Sequence, residues 1–78
     1  MATQFSTKFM EKAEEIYSRL APTIEKKYPG QFIVIHPFSS QYHIAPKLRD
    51  ALKAALEMHP DGNFVNKKIG SPSAFVFS

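Results

Sequence analysis

Histidine and serine are the side chains of this 78-residue chain that could carry acid–base, nucleophilic or metal chemistry, because it contains no cysteine. Imidazole titrates near neutral pH, and a hydroxyl becomes a nucleophile when an adjacent base accepts its proton. The serines in predicted turns or at the end of the sequence are Ser39, Ser40, Ser71, Ser73 and Ser78. None of them stands beside an evident His–carboxylate pair, so we predict no catalytic residue and no enzyme activity.

A metal site is the second possibility that the histidines raise. In a hairpin of residues 31–36 and 41–44, His36 and His43 would be diagonal neighbours on one face. Zinc needs a third protein ligand, but neither strand contains Asp, Glu or Cys, and His59 follows a separate helix. We therefore predict no metal and no cofactor, and we interpret both hairpin histidines as ordinary half-exposed side chains.

Two lysine pairs, Lys26-Lys27 and Lys67-Lys68, form local basic clusters that could hold the phosphates of a nucleic acid. The formal net charge is only +3, and the basic residues are spread along the chain rather than gathered in a tail. Solvated lysines on helix and strand surfaces are the favoured interpretation. Nucleic-acid binding through these four lysines is kept as the alternative function.

The length and composition predict one small domain, residues 1–78. A chain of this size buries about 60% of the surface that its unfolded form exposes, so its core is thin. Without cysteine, disulfides and thiolate metal sites are excluded, which leaves self-association to add stability. The residues after Met1 do not form the apolar segment of a signal peptide, and no apolar run approaches the roughly 20 residues that span a bilayer. We expect a cytoplasmic protein without a membrane partner.

Apolar residues at helical spacing predict two helices. The first stripe runs from about residue 5 to 28 and contains Pro22, which predicts a kinked helix or two short ones. A Tyr-Pro-Gly turn at 28–30 ends it. The second stripe predicts a helix over about residues 46–58, which the His-Pro-Asp-Gly sequence at 59–62 stops.

Runs of β-branched and aromatic residues predict four strands, at residues 31–36, 41–44, 63–69 and 74–77. The four-residue turn at 37–40 joins the first two in a hairpin in which His36 faces Gln41. One face of this hairpin carries Ile33, Ile35, Tyr42 and Ile44. The opposite face carries Phe32, Val34, His36, Gln41 and His43.

This order of elements predicts an α+β fold in two layers: helix, strand, strand, helix, strand, strand. Both helices are expected to cover the face of the sheet that carries Ile33 and Ile35. The step from Ile44 through the second helix to Phe64 should be a right-handed crossover, which makes the strands at its two ends parallel. We therefore predict a small mixed sheet.

Four segments of the chain resemble a group of small bacterial domains that have no assigned activity. The segments are Tyr28-Pro29-Gly30-Gln31-Phe32-Ile33-Val34-Ile35, Tyr42-His43-Ile44-Ala45, the Ala-Leu repeats of Ala51-Leu52 and Ala55-Leu56, and Lys68-Ile69-Gly70-Ser71-Pro72. In layout the chain is also distantly similar to antitoxin subunits whose strand–strand–helix–strand domain contacts a toxin. That similarity implies a protein-binding regulatory role, although residues 45–50 depart from the acidic helix start of those antitoxins.

The absence of a catalytic pattern and the small core favour a non-enzymatic protein-interaction module that self-associates. A nucleic-acid-binding or antitoxin-like regulatory protein is the alternative, and a small hydrolase or metal-dependent enzyme is ranked third. A 24-residue helix is about 36 Å long, whereas strands of this length span about 13–20 Å, so the N-terminal end should overhang the sheet. A second copy could cover either this overhang or the other sheet face, as a two-fold homodimer. The predicted interaction surface consists of Phe5, Phe9, Phe32, Val34, His36 and His43.

Overall fold

A computed structural model describes the backbone of residues 2–71 and 76–77 and the side chains of residues 8–71. The elements are α1 (Ala2–Lys27), β1 (Phe32–His36), β2 (Gln41–Ala45), α2 (Leu48–Met58), β3 (Val65–Lys68) and β4 (Val76–Phe77). The predicted α+β class is confirmed, and the order of the two helices and the first three strands follows the prediction. Of the predicted fourth strand, residues 74 and 75 lie outside the described residues.

Helix α1 runs without interruption through Pro22, because its apolar stripe continues on both sides of the proline. The buried residues of α1 are Phe9, Ala13, Ile16, Tyr17 and Ile24. Pro22 itself is exposed and lies outside this stripe. The helix ends at Lys27 because Pro29 cannot extend it and Gly30 adopts a left-handed backbone, with φ at 80°.

Strand β1 is the centre of a sheet with the order β2-β1-β3-β4. The β1–β2 hairpin has the predicted register pair for pair, from His36 opposite Gln41 to Ile33 opposite Ile44. The turn between the strands contains Ser40 in the left-handed region, with φ at 63°. The predicted hairpin and its register are therefore confirmed.

The prediction of a mixed sheet is wrong, because every pairing among the described strands is antiparallel. Strands β2 and β3 lie on opposite sides of β1 and are each antiparallel to it, so they run in the same direction, as expected for the ends of a crossover. They do not bond to each other. The apolar strand β1 occupies the place between them and gains backbone partners on both edges.

The expectation that both helices lie on one face is correct for α1 and wrong for α2. Residues Ile33 and Ile35 belong to the core under α1, whereas Val34 belongs to a second core with Ala51 and Ala55 of α2. Strand β1 is apolar on both faces, and each face needs a cover of its own to leave water. The result is three layers, with the sheet between the two helices.

Tyr17 connects α1 to the far end of β3. Its hydroxyl donates a hydrogen bond to Glu25 Oε2 at 2.8 Å and accepts one from the Gly70 N–H at 3.3 Å. Burial of the ring, opposed by the Gly70 hydrogen bond and assisted by Glu25, raises the pKa of Tyr17 above its ordinary value. The tyrosine therefore stays neutral and holds the helix against the Lys68–Ser71 turn.

Candidate functional site

Three of the predicted interaction residues are interior side chains. Phe9 is 3% exposed and its ring lies 5.3 Å from that of Phe38, so the turn after β1 covers this part of the helix, where an overhang was expected. Val34 is 0% exposed because α2 packs over it, and His36 is 5% exposed. None of the three offers a free surface for a partner. The side chain of Phe5 lies outside the described residues, while Phe32 and His43 are half-buried.

The four lysines of the alternative function gather at one end of the molecule but not on one face. Helix α1 ends at Lys27, and the Ile69 N–H bonds to the Gln31 carbonyl at 2.7 Å, which brings the Lys67-Lys68 end of β3 to the same end. Lys67 pairs with Ile33 and Lys68 with Phe32, so their side chains leave opposite faces of the sheet. A single phosphate-binding surface does not follow from this arrangement.

A groove of about 400 Å³ opens between the second half of α1 and the edge strand β2. We call it the edge groove. It is lined by Arg19, Leu20, Thr23, Ile24, Lys27, Tyr28, Tyr42 and Ile44. Tyr28 and Tyr42 are 37% and 41% exposed, so the groove presents aromatic surface to solvent.

The edge groove combines an apolar floor with basic residues. Leu20, Ile24 and Ile44 contribute to the first core and form the floor. Among the described residues, Arg19 forms an ion pair with Glu15, at 3.9 Å; this exposed pair is worth less than about 1 kcal/mol and leaves the guanidinium accessible. The groove therefore suits a ligand that carries apolar and acidic groups together.

A second cluster of polar side chains lies at the opposite end of β1, where the hairpin turn meets the end of α2. We call it the turn cluster. It consists of His36, Ser39, Gln41, His59 and Asp61. His36 ends β1 and is nearly buried, whereas Ser39 and Asp61 are exposed. The cluster therefore places a buried imidazole between two side chains that solvent reaches.

The contacts of His36 make a Ser–His–Asp arrangement. Its Nε2 lies 3.1 and 3.2 Å from the two carboxylate oxygens of Asp61, and its Nδ1 lies 2.8 Å from Ser39 Oγ. A carboxylate only accepts, so Nε2 carries the proton in the neutral ring and Nδ1 accepts from the serine hydroxyl. The ring nitrogens are exchanged relative to the usual triad, in which the serine contacts Nε2.

His59 forms a second layer over this arrangement. Its ring stacks on that of His36 at 3.8 Å with an angle of 6° between the planes. Its Nε2 lies 2.8 Å from Gln41 Oε1 and 3.5 Å from Ser39 Oγ. The Gln41 backbone N–H also donates to Ser39 Oγ, at 3.3 Å. The Gln41 side-chain oxygen only accepts, so His59 Nε2 donates its proton to that oxygen, and the Gln41 backbone N–H is the group that donates to the serine oxygen.

Two pKa values in the turn cluster depart from their ordinary range. The hydrogen bond from the Asn63 backbone N–H, followed by that from His36, lowers the pKa of Asp61. Burial lowers the pKa of His59, as does the proximity of His36 and His43, with which a protonated His59 would interact unfavourably; Asp61 has the opposite effect. Both shifts favour an anionic Asp61 beside a neutral His59.

We expect the free energy of unfolding to fall as the pH drops below the ordinary histidine pKa of 6.5, because the unfolded chain then binds a proton at His59 more readily than the folded one. A second loss should follow as the pH falls through the lowered pKa of folded Asp61. Urea unfolding across this pH range measures both. His59→Gln should remove the first loss and Asp61→Asn the second; an unchanged pH dependence in both variants would contradict the assignment.

Metal binding finds no support in the described part of the chain, where no group of three His, Asp or Glu side chains is arranged to hold an ion. His43 lies across from Val34, on the face covered by α2. Its Nε2 is buried and has no hydrogen-bond partner among the described residues.

The sequence reasoning missed the turn cluster because its carboxylate lies far along the chain. Ser39 stands three residues after His36, a spacing that already allows contact within a turn. Asp61 is 25 residues from His36 and is brought to it only by the return of the chain after α2. The Asp-Gly pattern at 61–62 indicates a turn that stops the second helix, and nothing in that local pattern points to His36.

No protein-family model matches this chain, and no curated protein or solved structure shows a significant similarity to it. The resemblances to the Tyr-Pro-Gly domains and to the antitoxin subunits therefore gain no support and stay predictions. Among the described residues, neither helix is long and apolar enough to cross a membrane.

Proposed function

We propose that this protein is an interaction module that binds an extended, apolar and acidic segment of a partner protein along strand β2. The observation that supports it is the edge groove, which lies beside the outermost described strand of the sheet. An edge strand presents backbone N–H and C=O groups that an added strand can pair with, while side-chain pockets beside it supply specificity.

The spacing of the basic residues suggests the pattern of the partner segment. Arg19 and Lys27 are eight residues apart on α1, which is about 12 Å along the helix. Residues i and i+4 of an added strand are about 13 Å apart and point to the same face, with i+2 between them. A segment with acidic residues at i and i+4 and an apolar residue at i+2 would match Arg19, the apolar floor and Lys27 in turn.

Charge favours an acidic partner over a second copy of the chain. Each copy has a formal net charge of +3, and pairing of two β2 edges would bring the basic groove residues of both copies toward each other. The homodimer predicted from the sequence would use other surfaces, namely the second sheet face or the N-terminal part of the first helix. A dimer through β2 is a different arrangement, and it would compete directly with the proposed partner.

Selection of a displayed library of random dodecapeptides on the purified protein tests the proposal. We expect enrichment of the acidic–x–apolar–x–acidic pattern, and amide shifts of the best peptide's complex concentrated in Gln41–Ala45. The Arg19→Glu/Lys27→Glu double variant should weaken binding of that peptide at least about 10-fold. Lys53→Glu is the matched control, because Lys53 is exposed on α2 and outside the groove.

Three results would overturn the proposal. The first is the absence of an enriched pattern, or shifts that lie away from β2. The second is a dimer in light scattering at micromolar concentration whose interface is β2, which would make a second copy the occupant. The third is binding of a thymidine dodecanucleotide that weakens steeply with salt and is lost on Lys26→Glu/Lys68→Glu, which would favour the nucleic-acid alternative.

A further inference from the structure

We propose that Ser39 is a nucleophile for acyl transfer from small activated esters, with His36 as its general base and Asp61 as the residue that positions the base. This site is separate from the edge groove, and no pattern in the sequence indicates it. Ser39 is exposed on the hairpin turn, so an acyl group can approach its oxygen, while His36 behind it is nearly buried.

The reaction has two steps of the same kind. Ser39 Oγ adds to the acyl carbon as its proton passes to His36 Nδ1, 2.8 Å away; the bond to the leaving alcohol then breaks and the alcohol takes that proton. Water next adds to the acyl carbon and gives its proton to Nδ1. Ser39 Oγ leaves with this proton, so ester and water yield acid and alcohol.

The neighbours of Ser39 and His36 support both steps. Asp61 accepts a hydrogen bond from the Nε2–H of His36 and stabilises the imidazolium that forms in each step. The Gln41 N–H donates to Ser39 Oγ and disperses the charge that develops on it. His59 donates to Gln41 Oε1 and stacks on the ring of His36, which holds the base in place.

Hydrolysis of p-nitrophenyl acetate by the whole chain tests this assignment. We expect Ser39→Ala to lower the protein-dependent rate at least about 10-fold, while Ser40→Ala, in the same exposed turn, leaves it unchanged. Mass spectrometry after acid quenching should place an acetyl group on Ser39. Asp61→Asn should lower the rate less than Ser39→Ala does, through kcat with KM unchanged, because Asp61 contacts the base and not the nucleophile.

A rate that survives Ser39→Ala, or acetyl groups found only on lysines, would overturn the proposal. Circular dichroism of each variant shows that a lost rate does not come from a lost fold. Because the edge groove and the turn cluster share no residue, failure here leaves the proposal of peptide binding at β2 unaffected. Conversely, the proposal of peptide binding can be overturned while Ser39 still reacts with the ester.

Discussion

Val34→Lys is expected to remove a large part of the stability of the protein and to unfold a measurable fraction of it at room temperature. Val34 is 0% exposed between the sheet and α2, so the new ammonium group would be buried without a partner, at a cost above about 3 kcal/mol. A domain of this size has a total stability of about 4–12 kcal/mol, of which such a change removes a large part. Loss of the circular dichroism signal and of amide dispersion measures the effect.

Tyr42→Lys is the matched control, because Tyr42 lies on the neighbouring strand and is 41% exposed. It should change the free energy of unfolding by less than about 1 kcal/mol. The comparison separates two arrangements of the helices. If both helices lay on the Ile33 face, Val34 would be exposed and a lysine there would be tolerated. A Val34→Lys variant whose free energy of unfolding is unchanged would thus contradict the three-layer structure.

The hairpin and the helices could be predicted because their signals are local. The β-branched run at residues 31–36, a four-residue turn and a second short strand are enough to set the register, because the length of the turn fixes which residues face each other. The helical stripes are equally local. The end of α1 followed from the Tyr-Pro-Gly turn, within one residue of the observed end at Lys27.

The placement of α2 could not be predicted in the same way. Its stripe shows that one side must be buried but not against which face of the sheet, because β1 offers apolar residues to both. The deciding contacts are those of Phe64 and Val34 with Ala51 and Ala55, which are distant in sequence. Because α2 was expected on the Ile33 face, the Val34 face was expected to be free. Val34 and His36 were therefore wrongly included in the predicted interaction surface.

The two candidate sites were hidden from sequence reasoning for different reasons. The edge groove is formed by the second half of α1 and by β2. The sequence pattern assigns the residues of each element to an apolar stripe or a strand face, but it does not show that a groove separates the two elements. The turn cluster requires Asp61 to return to His36 across 25 residues. Local periodicity predicts which side of an element is buried, but such long-range approaches depend on the whole topology.

Pro22→Ala is expected to stabilise the protein by about 1–3 kcal/mol. Proline inside a helix is about 3 kcal/mol less favourable than alanine, because it lacks the N–H that would bond the Ser18 carbonyl and its ring crowds that carbonyl. Pro22 is exposed, so little packing is lost with the ring. Chemical unfolding measures the gain, and Thr23→Ala, the next exposed position, should gain less than about 0.7 kcal/mol.

The same variant should bind the selected peptide more weakly. Pro22 lies between Leu20 and Ile24, two residues that line the edge groove, and a proline ring inside a helix commonly bends it. Removing it lets this segment relax toward an ideal helix, which changes the separation of the two basic residues that the acidic positions must match. Stabilisation with weaker binding would give Pro22 a role in shaping the groove, at the expense of stability. A more stable variant that binds the peptide with unchanged affinity would contradict that role. A variant whose free energy of unfolding is unchanged or lower would show that α1 needs its present path to pack on both sides of the proline.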